Sequence, residues 1–430
     1  MKIVVIGAGI SGLVASWQLA RRHDVTLLEA RNRLGGHTHT VTVDDGGRSR
    51  PIDTGFIVFN RHNYPRFSAL LEQLNIPSHP TDMSLSVRCD QTGLEWQGSS
   101  LNGLFATRRS LIDPSFYRML RDILRFADHA RALLETPPGP TVAEFVRDHG
   151  YGRRFVRHYL RPLGTALWSC SGKTFDQFSM RLVASFLDHH RMLDLGGRPT
   201  WRVVTGGSRR YVDAIARQLE GHIRTGCPVE RVRRRPGAVD VHLQSGEILT
   251  ADHVVLACHA DQALRMVEQP TDTEQQLLRC FPYEANEAIL HHDTRVMPRR
   301  RRAWASWNVR VPDDPTEPGP VAVTYWMNRL MGLADARHDW CVTLNDDRDI
   351  APETIAGRFR YDHPQMTLER EAAGARQDQL IDHDRLSYCG AYWGWGFHED
   401  GVRSAENVVE ALADHPTDSR PTATPEVAHA

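Results

Sequence analysis

The chain has 430 residues, of which 24% are charged, and its formal net charge is −1. This length is sufficient for two domains with substantial cores, and the balanced charge leads us to expect no nucleic-acid partner. Seven scattered cysteines without a Cys-x-x-Cys pair indicate reduced thiols rather than disulfides or a zinc site. The histidine pairs lack matching cysteine or acidic ligands, so no metal site is expected. No apolar run is long enough to span a membrane, and we expect a cytoplasmic protein.

The amino-terminal segment carries a dinucleotide-binding pattern. A β-branched run over residues 2–6 leads into a turn with Gly7, Gly9 and Gly12, and helix-spaced apolar residues and a second apolar run ending at Glu29 follow. Gly7 permits the tight turn, Gly9 lets the backbone approach a pyrophosphate, and Gly12 lets helix and strand pack closely. The helix amino terminus then faces the phosphates with free N–H groups. Glu29 lies where a carboxylate can bind a ribose hydroxyl.

The residues that follow Glu29 indicate which dinucleotide the chain binds. The segment Glu29-Ala30-Arg31-Asn-Arg33-Leu-Gly35-Gly36 resembles the flavin-containing amine oxidase superfamily, in which Glu-Ala-Arg and Arg-x-Gly-Gly hold FAD. The resemblance implies that Arg31 lies near the adenosine and that Arg33, Gly35 and Gly36 lie near the pyrophosphate. The superfamily usually has arginine after the glycine pair, where this chain has His37.

A third motif lies near the carboxyl end. Gly390 and the run Gly396-Phe397-His-Glu399-Asp400-Gly401-Val402 precede a helix predicted over Ala405–Ala413. A helix amino terminus stabilises negative charge, so Gly401 and Val402 are expected beside the charged edge of a reduced flavin. The resemblance also implies that Val229 lies beside the adenine. The cofactor set expected for FAD is Gly7, Gly9, Ser11, Gly12, Glu29, Ala30, Arg31, Arg33, Gly35, Gly36, Val229, Gly390, Gly401 and Val402.

The carboxyl-terminal run looks like one branch of the superfamily. That branch includes flavoproteins associated with cyclopropane fatty acid synthase-like methyltransferases and desaturases of methyl-branched acyl chains. Amine oxidases place an acid after the glycine of this motif, where Ala391 follows Gly390 here, and either Glu399 or Asp400 could substitute for it.

The expected fold class is α/β, with a Rossmann-type FAD-binding domain interleaved with a mixed α+β substrate domain, as in amine oxidases. The FAD-binding domain is predicted over 1–63, 200–265 and 381–413, the substrate domain over 64–199 and 266–380, and a disordered tail over 414–430. The segment 64–199 is predicted to be largely helical, with a helix at 115–134, and a further helix is predicted beyond it at 211–219. Strands are predicted at 227–233, 238–243, 251–257, 287–291 and 321–327.

The leading hypothesis is an FAD-dependent oxidoreductase that dehydrogenates an apolar, lipid or fatty-acyl substrate by hydride transfer to flavin N5. One alternative is an amine oxidase that produces peroxide, and another is a non-catalytic FAD-binding partner of a lipid methyltransferase. The candidate pocket residues are Tyr325, Asn328, Tyr392, Trp395 and Phe397. The alternative for each of them is an ordinary structural role in a core or a sheet. No catalytic residue is identified, and the two candidates are His190 as a general base and Lys173.

A basic run, Arg299–Arg302, precedes Trp304 and Trp307. Basic clusters beside tryptophans can contact anionic headgroups, which would place the protein peripherally on the inner face of the membrane. The alternative, which the arginine-rich composition favours, is a solvated loop.

Overall fold

The computed structural model describes residues 1–135, 139–194, 196–312 and 322–413. In these ranges the strands are, in chain order, β1 (Lys2–Ile6), β2 (Asp24–Leu28), β3 (Thr40–Asp44), β4 (Ser49–Asp53), β5 (Val58–Asn60), β6 (Ser78–Pro80), β7 (Leu85–Cys89), β8 (Leu94–Gln97), β9 (Trp201–Val204), β10 (Ile223–Arg224), β11 (Val229–Arg235), β12 (Ala238–Leu243), β13 (Ile248–Ala251), β14 (His253–Leu256), β15 (Tyr283–His291), β16 (Trp307–Val311), β17 (Ala322–Trp326), β18 (Cys341–Leu344), β19 (Ile355–Pro364) and β20 (Leu386–Tyr388). The helices are α1 (Ile10–Leu19), α2 (Pro65–Gln73), α3 (Leu101–Leu104), α4 (Pro114–Ala132), α5 (Val142–Asp148), α6 (Arg153–Phe155), α7 (Arg161–Trp168), α8 (Gly172–Asp176), α9 (Met180–His189), α10 (Arg209–Gln218), α11 (Ala260–Met266), α12 (Asp272–Leu278), α13 (Met327–Leu330), α14 (Leu368–Gly374) and α15 (His398–Ala413).

A parallel sheet of order β10-β2-β1-β14-β20 organises the nucleotide-binding motifs. Alternate residues of β1 face opposite cores: Ile3 and Val5 pack with α1, and Val4 and Ile6 pack on the other side of the sheet. A strand covered on both faces must be apolar throughout, which explains the uninterrupted β-branched run. All five strands end at the same edge, and the expected Rossmann-type architecture is confirmed.

A second sheet has the order β19-β15-β18-β17-β16-β7-β8. It is antiparallel except for the pair β7 and β16, which brings residues 85–89 beside residues 307–311. Helices α4 to α9 lie against it through an aromatic core that includes Phe116, Phe126, Phe155 and Phe186. The mixed α+β character expected for this part of the chain is therefore present. The small sheet β5-β9-β6 joins residues on both sides of position 64, and the exact domain boundaries stay a prediction.

Several predicted elements shift at their ends. The helices predicted at 115–134 and 211–219 are α4 and α10, and the strand predicted at 227–233 is β11, which begins at Val229. The prediction that 64–199 is largely helical misses β6, β7 and β8, which are too short to show a period, and of which only β7 and β8 are mostly buried. The last helix begins at His398 rather than Ala405. Residues 414–430 and Val321 lie outside the described ranges. Within those ranges, no helix has the length and hydropathy needed to cross a bilayer.

A buried carboxylate joins the β3–β4 hairpin to α10. Asp53 accepts hydrogen bonds from Thr40 Oγ1 at 2.5 Å, from Ser208 N at 3.0 Å and from Ser208 Oγ at 2.8 Å. Its side chain is inaccessible to solvent, and burial raises its pKa to about 6. The three donors stabilise the carboxylate but do not offset the loss of hydration.

We expect Asp53→Asn to change how stability depends on pH. The folded pKa lies above the unfolded value, so the stabilisation by protonated Asp53 is complete below about pH 4 and is lost as pH rises through about 6. Relative to Asp53→Asn, the wild type should lose on the order of 3 kcal/mol of unfolding free energy across this window. Urea unfolding of both proteins between pH 4 and 7 measures this difference. A wild type that gains stability over the variant as pH rises would contradict it.

Candidate functional site

Three sequence-distant segments meet at the carboxyl edge of the parallel sheet. Ala8 N donates to Glu29 Oε2 at 2.8 Å, and Gly35 N donates to Ala8 O at 2.8 Å. Cys227 N donates to Glu29 O at 2.9 Å, which places the start of β11, and thus Val229, beside this acid. The first glycine turn, the second glycine pair and the 227–229 segment therefore form one cradle.

The glycines of this cradle have different roles. A Cβ at Gly12 would lie 1.8 Å from Gly7 O, so this residue allows the helix to approach the turn. A Cβ at Gly9 would meet no protein atom within 4 Å, whereas one at Gly36 would lie 3.1 Å from Gly9 Cα. Gly9 and Gly36 are thus in close backbone contact, and the Cβ direction of Gly9 faces a space that the described part of the chain does not fill. This is the arrangement that close approach of a pyrophosphate to the backbone requires.

The first turns of two helices converge at this space. Helix α1 begins at Ile10 without a side-chain cap, which leaves its first N–H groups for a ligand. A Cβ at Gly401 would lie 2.7 Å from Ile10 Cγ2 and 3.0 Å from Ser11 Oγ, so Gly401 lets α15 pack directly against α1. Val402 is fully buried in the core shared by these helices. Gly390 lies at the end of β20, where its N–H donates to Ser404 Oγ at 2.9 Å.

The charges beside the cradle suit a diphosphate. Arg31 and Ala30 are exposed and Arg33 is half-buried, with its pKa lowered by burial. His37 takes the place of an arginine, and its pKa lies well below the ordinary value because burial and the neighbouring His363 and His259 disfavour the charged form. The His37 imidazole is neutral at pH 7, and its buried Nε2 has no hydrogen-bond partner among the residues that the structure describes. An unpartnered buried nitrogen at the cradle provides a position for a hydrogen bond to a ligand.

Neither acid of the carboxyl-terminal motif is free to replace the one absent at Ala391. Glu399 accepts hydrogen bonds from Arg66 N at 3.1 Å and Phe67 N at 3.0 Å, and thereby caps α2. Asp400 is buried and accepts from Trp395 N at 3.0 Å and Phe397 N at 3.1 Å. The bond to Phe397 N holds the residue before the first turn of α15, which explains why this helix begins at His398.

A buried network next to the cradle was not predicted from the sequence. Thr38 Oγ1 lies 2.5 Å from Tyr211 Oη and 2.9 Å from His398 Nε2. The His398 ring stacks on Phe56 with centroids 3.5 Å apart, and burial lowers its pKa to about 3. These contacts join the second glycine segment to α10 and to the start of α15. Their spacing over 360 positions leaves no local signal in the sequence.

Two of the predicted pocket residues lie together with His190. The Phe397 ring stacks on Phe186 with centroids 5.0 Å apart and lies 6.2 Å from His190, and Trp395 lies 6.3 Å from His190. Trp201 stacks parallel to His190 at 6.1 Å. We call Phe186, His190, Trp201, Trp395 and Phe397 the aromatic cluster. It lies immediately before α15, between the two sheets' cores.

The other predicted pocket residues have different surroundings. Tyr325 packs edge-on against Trp307 within the second sheet, 5.2 Å away. Asn328 holds a loop, because its Oδ1 accepts from Trp340 N at 2.7 Å and its Nδ2 donates to His338 O at 2.8 Å. Tyr392 packs against Phe281 and Trp393 beneath the parallel sheet. The five residues do not form one group, because aromatic identity does not determine which core a side chain joins.

The structure also corrects the prediction that Lys173 is a candidate catalytic residue. Lys173 lies on the exposed surface of the short helix α8. A lysine that acts through a water molecule at a flavin must be enclosed with it, so Lys173 is not a candidate catalytic residue.

A fully buried arginine, absent from the sequence-based predictions, supports the carboxyl-terminal motif. Arg370 of α14 donates to the carbonyl oxygens of Tyr392, Gly394 and Gln365. Burial lowers its pKa to about 10, so the guanidinium remains charged at neutral pH. Its five donors satisfy backbone oxygens of the segment that leads to Phe397.

The cradle fits FAD, since an open space in front of Gly9, a helix amino terminus and a His37 Nε2 without a partner among the described residues meet there. A model of the flavin-containing amine oxidoreductase family matches residues 10–413. A Mycobacterium tuberculosis protein provisionally named flavin-containing monoamine oxidase AofH is 27% identical over 386 residues, which cover 83% of this chain and 79% of that protein. Hydroxyneurosporene desaturase of Cereibacter sphaeroides is 27% identical over 378 residues, which cover 75% of this chain and 68% of the desaturase. Cyclohexylamine oxidase of Brevibacterium oxydans shares the fold, with a TM-score of 0.67 and 16% identity over 96% of this chain and 98% of that one. The chain therefore belongs to the flavin-containing amine oxidoreductase family and is an FAD-dependent oxidoreductase.

Proposed function

We propose that this oxidoreductase dehydrogenates an apolar, lipid-derived substrate held against the aromatic cluster. The observation that carries the proposal is the composition of this cluster, in which Phe186, Trp201, Trp395 and Phe397 surround a neutral histidine. The similarity to hydroxyneurosporene desaturase supports a dehydrogenation. Bound FAD would supply the chemistry by accepting a hydride at N5.

The state of His190 suits an apolar substrate. Its Nδ1–H donates to Phe186 O at 2.9 Å, and burial lowers its pKa to about 4. The ring is therefore neutral at pH 7, and its Nε2 carries no proton and makes no hydrogen bond within the described part of the chain. His190 can receive at Nε2 the proton that leaves the substrate with the hydride. Its neighbours exclude water and orient an apolar chain.

The hydrogen bonds of the nearby acidic side chains argue against a cationic substrate. Glu399 and Asp400 follow the cluster directly, but their carboxylates accept backbone N–H groups of α2 and of residues 395–397. An ammonium entering the cluster would lose its hydration without gaining a carboxylate partner. The similarity to the monoamine oxidase AofH makes peroxide-producing amine oxidation the second candidate.

Anaerobic reduction of the oxidised flavoprotein distinguishes these functions. One panel contains primary and secondary amines, and the other contains unsaturated and methyl-branched acyl lipids. We expect a lipid to bleach the oxidised flavin band and Phe397→Ala to slow this bleaching about tenfold through loss of the stacked ring. The control Ile248→Ser, on an exposed strand of the small β11–β13 sheet, should reduce at the wild-type rate. Reduction by amines and by no lipid would overturn the proposal in favour of an amine oxidase, and reduction by neither panel would also contradict it.

A further inference from the structure

We propose that residues 101–124 form a docking surface for an anionic lipid bilayer. Seven large apolar side chains are exposed in the described part of the chain, and five of them lie in this segment. They are Leu101, Leu111, Ile112, Tyr117 and Leu124, and Ile112 is 85% exposed. Apolar residues scattered singly over a surface need no explanation, but such a concentration marks an interaction site. We call this segment the 101–124 surface.

The local structure brings the 3₁₀ turn and the first turns of α4 together, because the Tyr117 hydroxyl donates to Leu111 O at 2.9 Å. Helix α3 and a 3₁₀ turn over Arg108–Ile112 lead into α4, whose amino terminus is capped by Asp113. On α4, Tyr117, Arg121 and Leu124 follow one another at spacings of four and three residues and so share one face. Asp128 continues that face and is exposed, which ends the apolar surface after Leu124.

Exposed arginines alternate along the segment with the apolar residues. They are Arg108, Arg109, Arg118 and Arg121. No acid within the described ranges pairs with Arg109 or Arg118. Both acids of the segment are engaged: Asp113 pairs with Arg154, and the buried Asp122 accepts from Arg125 and from Gly152 N and lies 3.9 Å from Arg121. The local charge is therefore positive although the whole chain carries −1.

This combination fits an anionic membrane surface. Basic side chains attract anionic headgroups, and the apolar side chains between them enter the boundary with the acyl chains. A protein partner would have to supply both an acidic rim and an apolar centre, whereas an anionic bilayer presents both at every point. The inference depends on exposure and charge alone and does not rest on the proposed substrate.

The arginine run predicted from the sequence lies at the edge of this surface. Arg299 lies 3.6 Å from Asp90, Arg300 pairs with Glu95 at 3.0 Å, and Arg301 pairs with Asp339 at 3.0 Å. Arg302 Nε donates to Ala106 O at 2.9 Å, which places the run beside the 101–124 surface. Because acids of the chain already neutralise most of the run, we assign the main contact to residues 101–124.

Sedimentation of the full-length flavoprotein with vesicles tests the proposal. The vesicles are phosphatidylcholine alone or phosphatidylcholine mixed with phosphatidylglycerol, at low and high salt. We expect binding to the mixed vesicles at low salt, weakened by salt. Arg109→Gln and Arg118→Gln should each weaken this binding about fivefold, and Ile112→Ser should weaken it at least about tenfold.

Ile248→Ser and Leu368→Ser are matched controls, because they remove exposed apolar side chains from other parts of the surface. Both should bind like the wild type. Circular dichroism of each variant separates loss of binding from loss of structure. Binding that is equal for both vesicle types, binding that is unchanged in Ile112→Ser, or no binding at any composition would each overturn the proposal.

Discussion

Gly9→Val should give a folded protein that is purified without FAD. The Gly9 backbone has φ −70° and ψ −176°, which any residue can adopt, and a Cβ there would meet no protein atom within 4 Å. The valine therefore costs the apoprotein little but occupies the space in front of Gly9, where the pyrophosphate must approach the backbone. Flavin absorbance of the purified protein and titration with FAD measure the loss, and circular dichroism measures the fold.

Two other glycines make this result specific. A Cβ at Gly196 also meets no atom within 4 Å, so Gly196→Val should fold and retain FAD as the wild type does. Gly12→Val should instead prevent correct folding, because its Cβ would lie 1.8 Å from Gly7 O and 3.1 Å from Ala257 Cβ. If Gly9→Val bound FAD with wild-type affinity, the cradle would not be the pyrophosphate site.

The nucleotide-binding half of the site could be predicted because its determinants are local. The run over 2–6, the glycine turn and Glu29 lie within one strand–helix–strand unit, whose register follows from hydrophobic period and turn chemistry. The structure joins Ala8 to Glu29 and to Gly35 by backbone hydrogen bonds, which that unit requires. Gly401 was predicted at the start of the last helix, and its packing against Ile10 supplies a second reason for glycine there.

The surroundings of the candidate pocket residues could not be predicted in the same way, because their contacts are long-range. Tyr325, Tyr392 and Phe397 are all aromatic and apolar, yet they belong to different cores. From the sequence, Glu399 is expected to be an exposed surface acid. In the structure it caps α2, which lies more than 300 positions away in the chain. The start of α15 was also not predicted. A glycine–histidine–acid run has low intrinsic helix propensity. Its helical conformation here depends on the Asp400 bond to Phe397 N.

Arg370→Met should destabilise the protein and weaken its hold on FAD. The substitution keeps an unbranched apolar side chain but removes every hydrogen bond to the carbonyl oxygens of Tyr392, Gly394 and Gln365. Buried carbonyls left without donors make the expected loss of unfolding free energy on the order of 3 kcal/mol or more. The segment released leads directly to Phe397 and the first turn of α15, so flavin content should fall with stability.

Arg360→Met is the matched control, because Arg360 is exposed and its one acidic partner in the described part of the chain is Asp362 of β19. It should change the unfolding free energy by less than about 1 kcal/mol, since surface ion pairs contribute little. Arg370→Lys should fall between wild type and Arg370→Met, because a lysine keeps the charge but cannot reach three separate carbonyls with a planar fork. Urea unfolding and flavin content of the three variants measure these differences. Wild-type stability and flavin content in Arg370→Met would show that the 392–394 segment holds its conformation without the guanidinium.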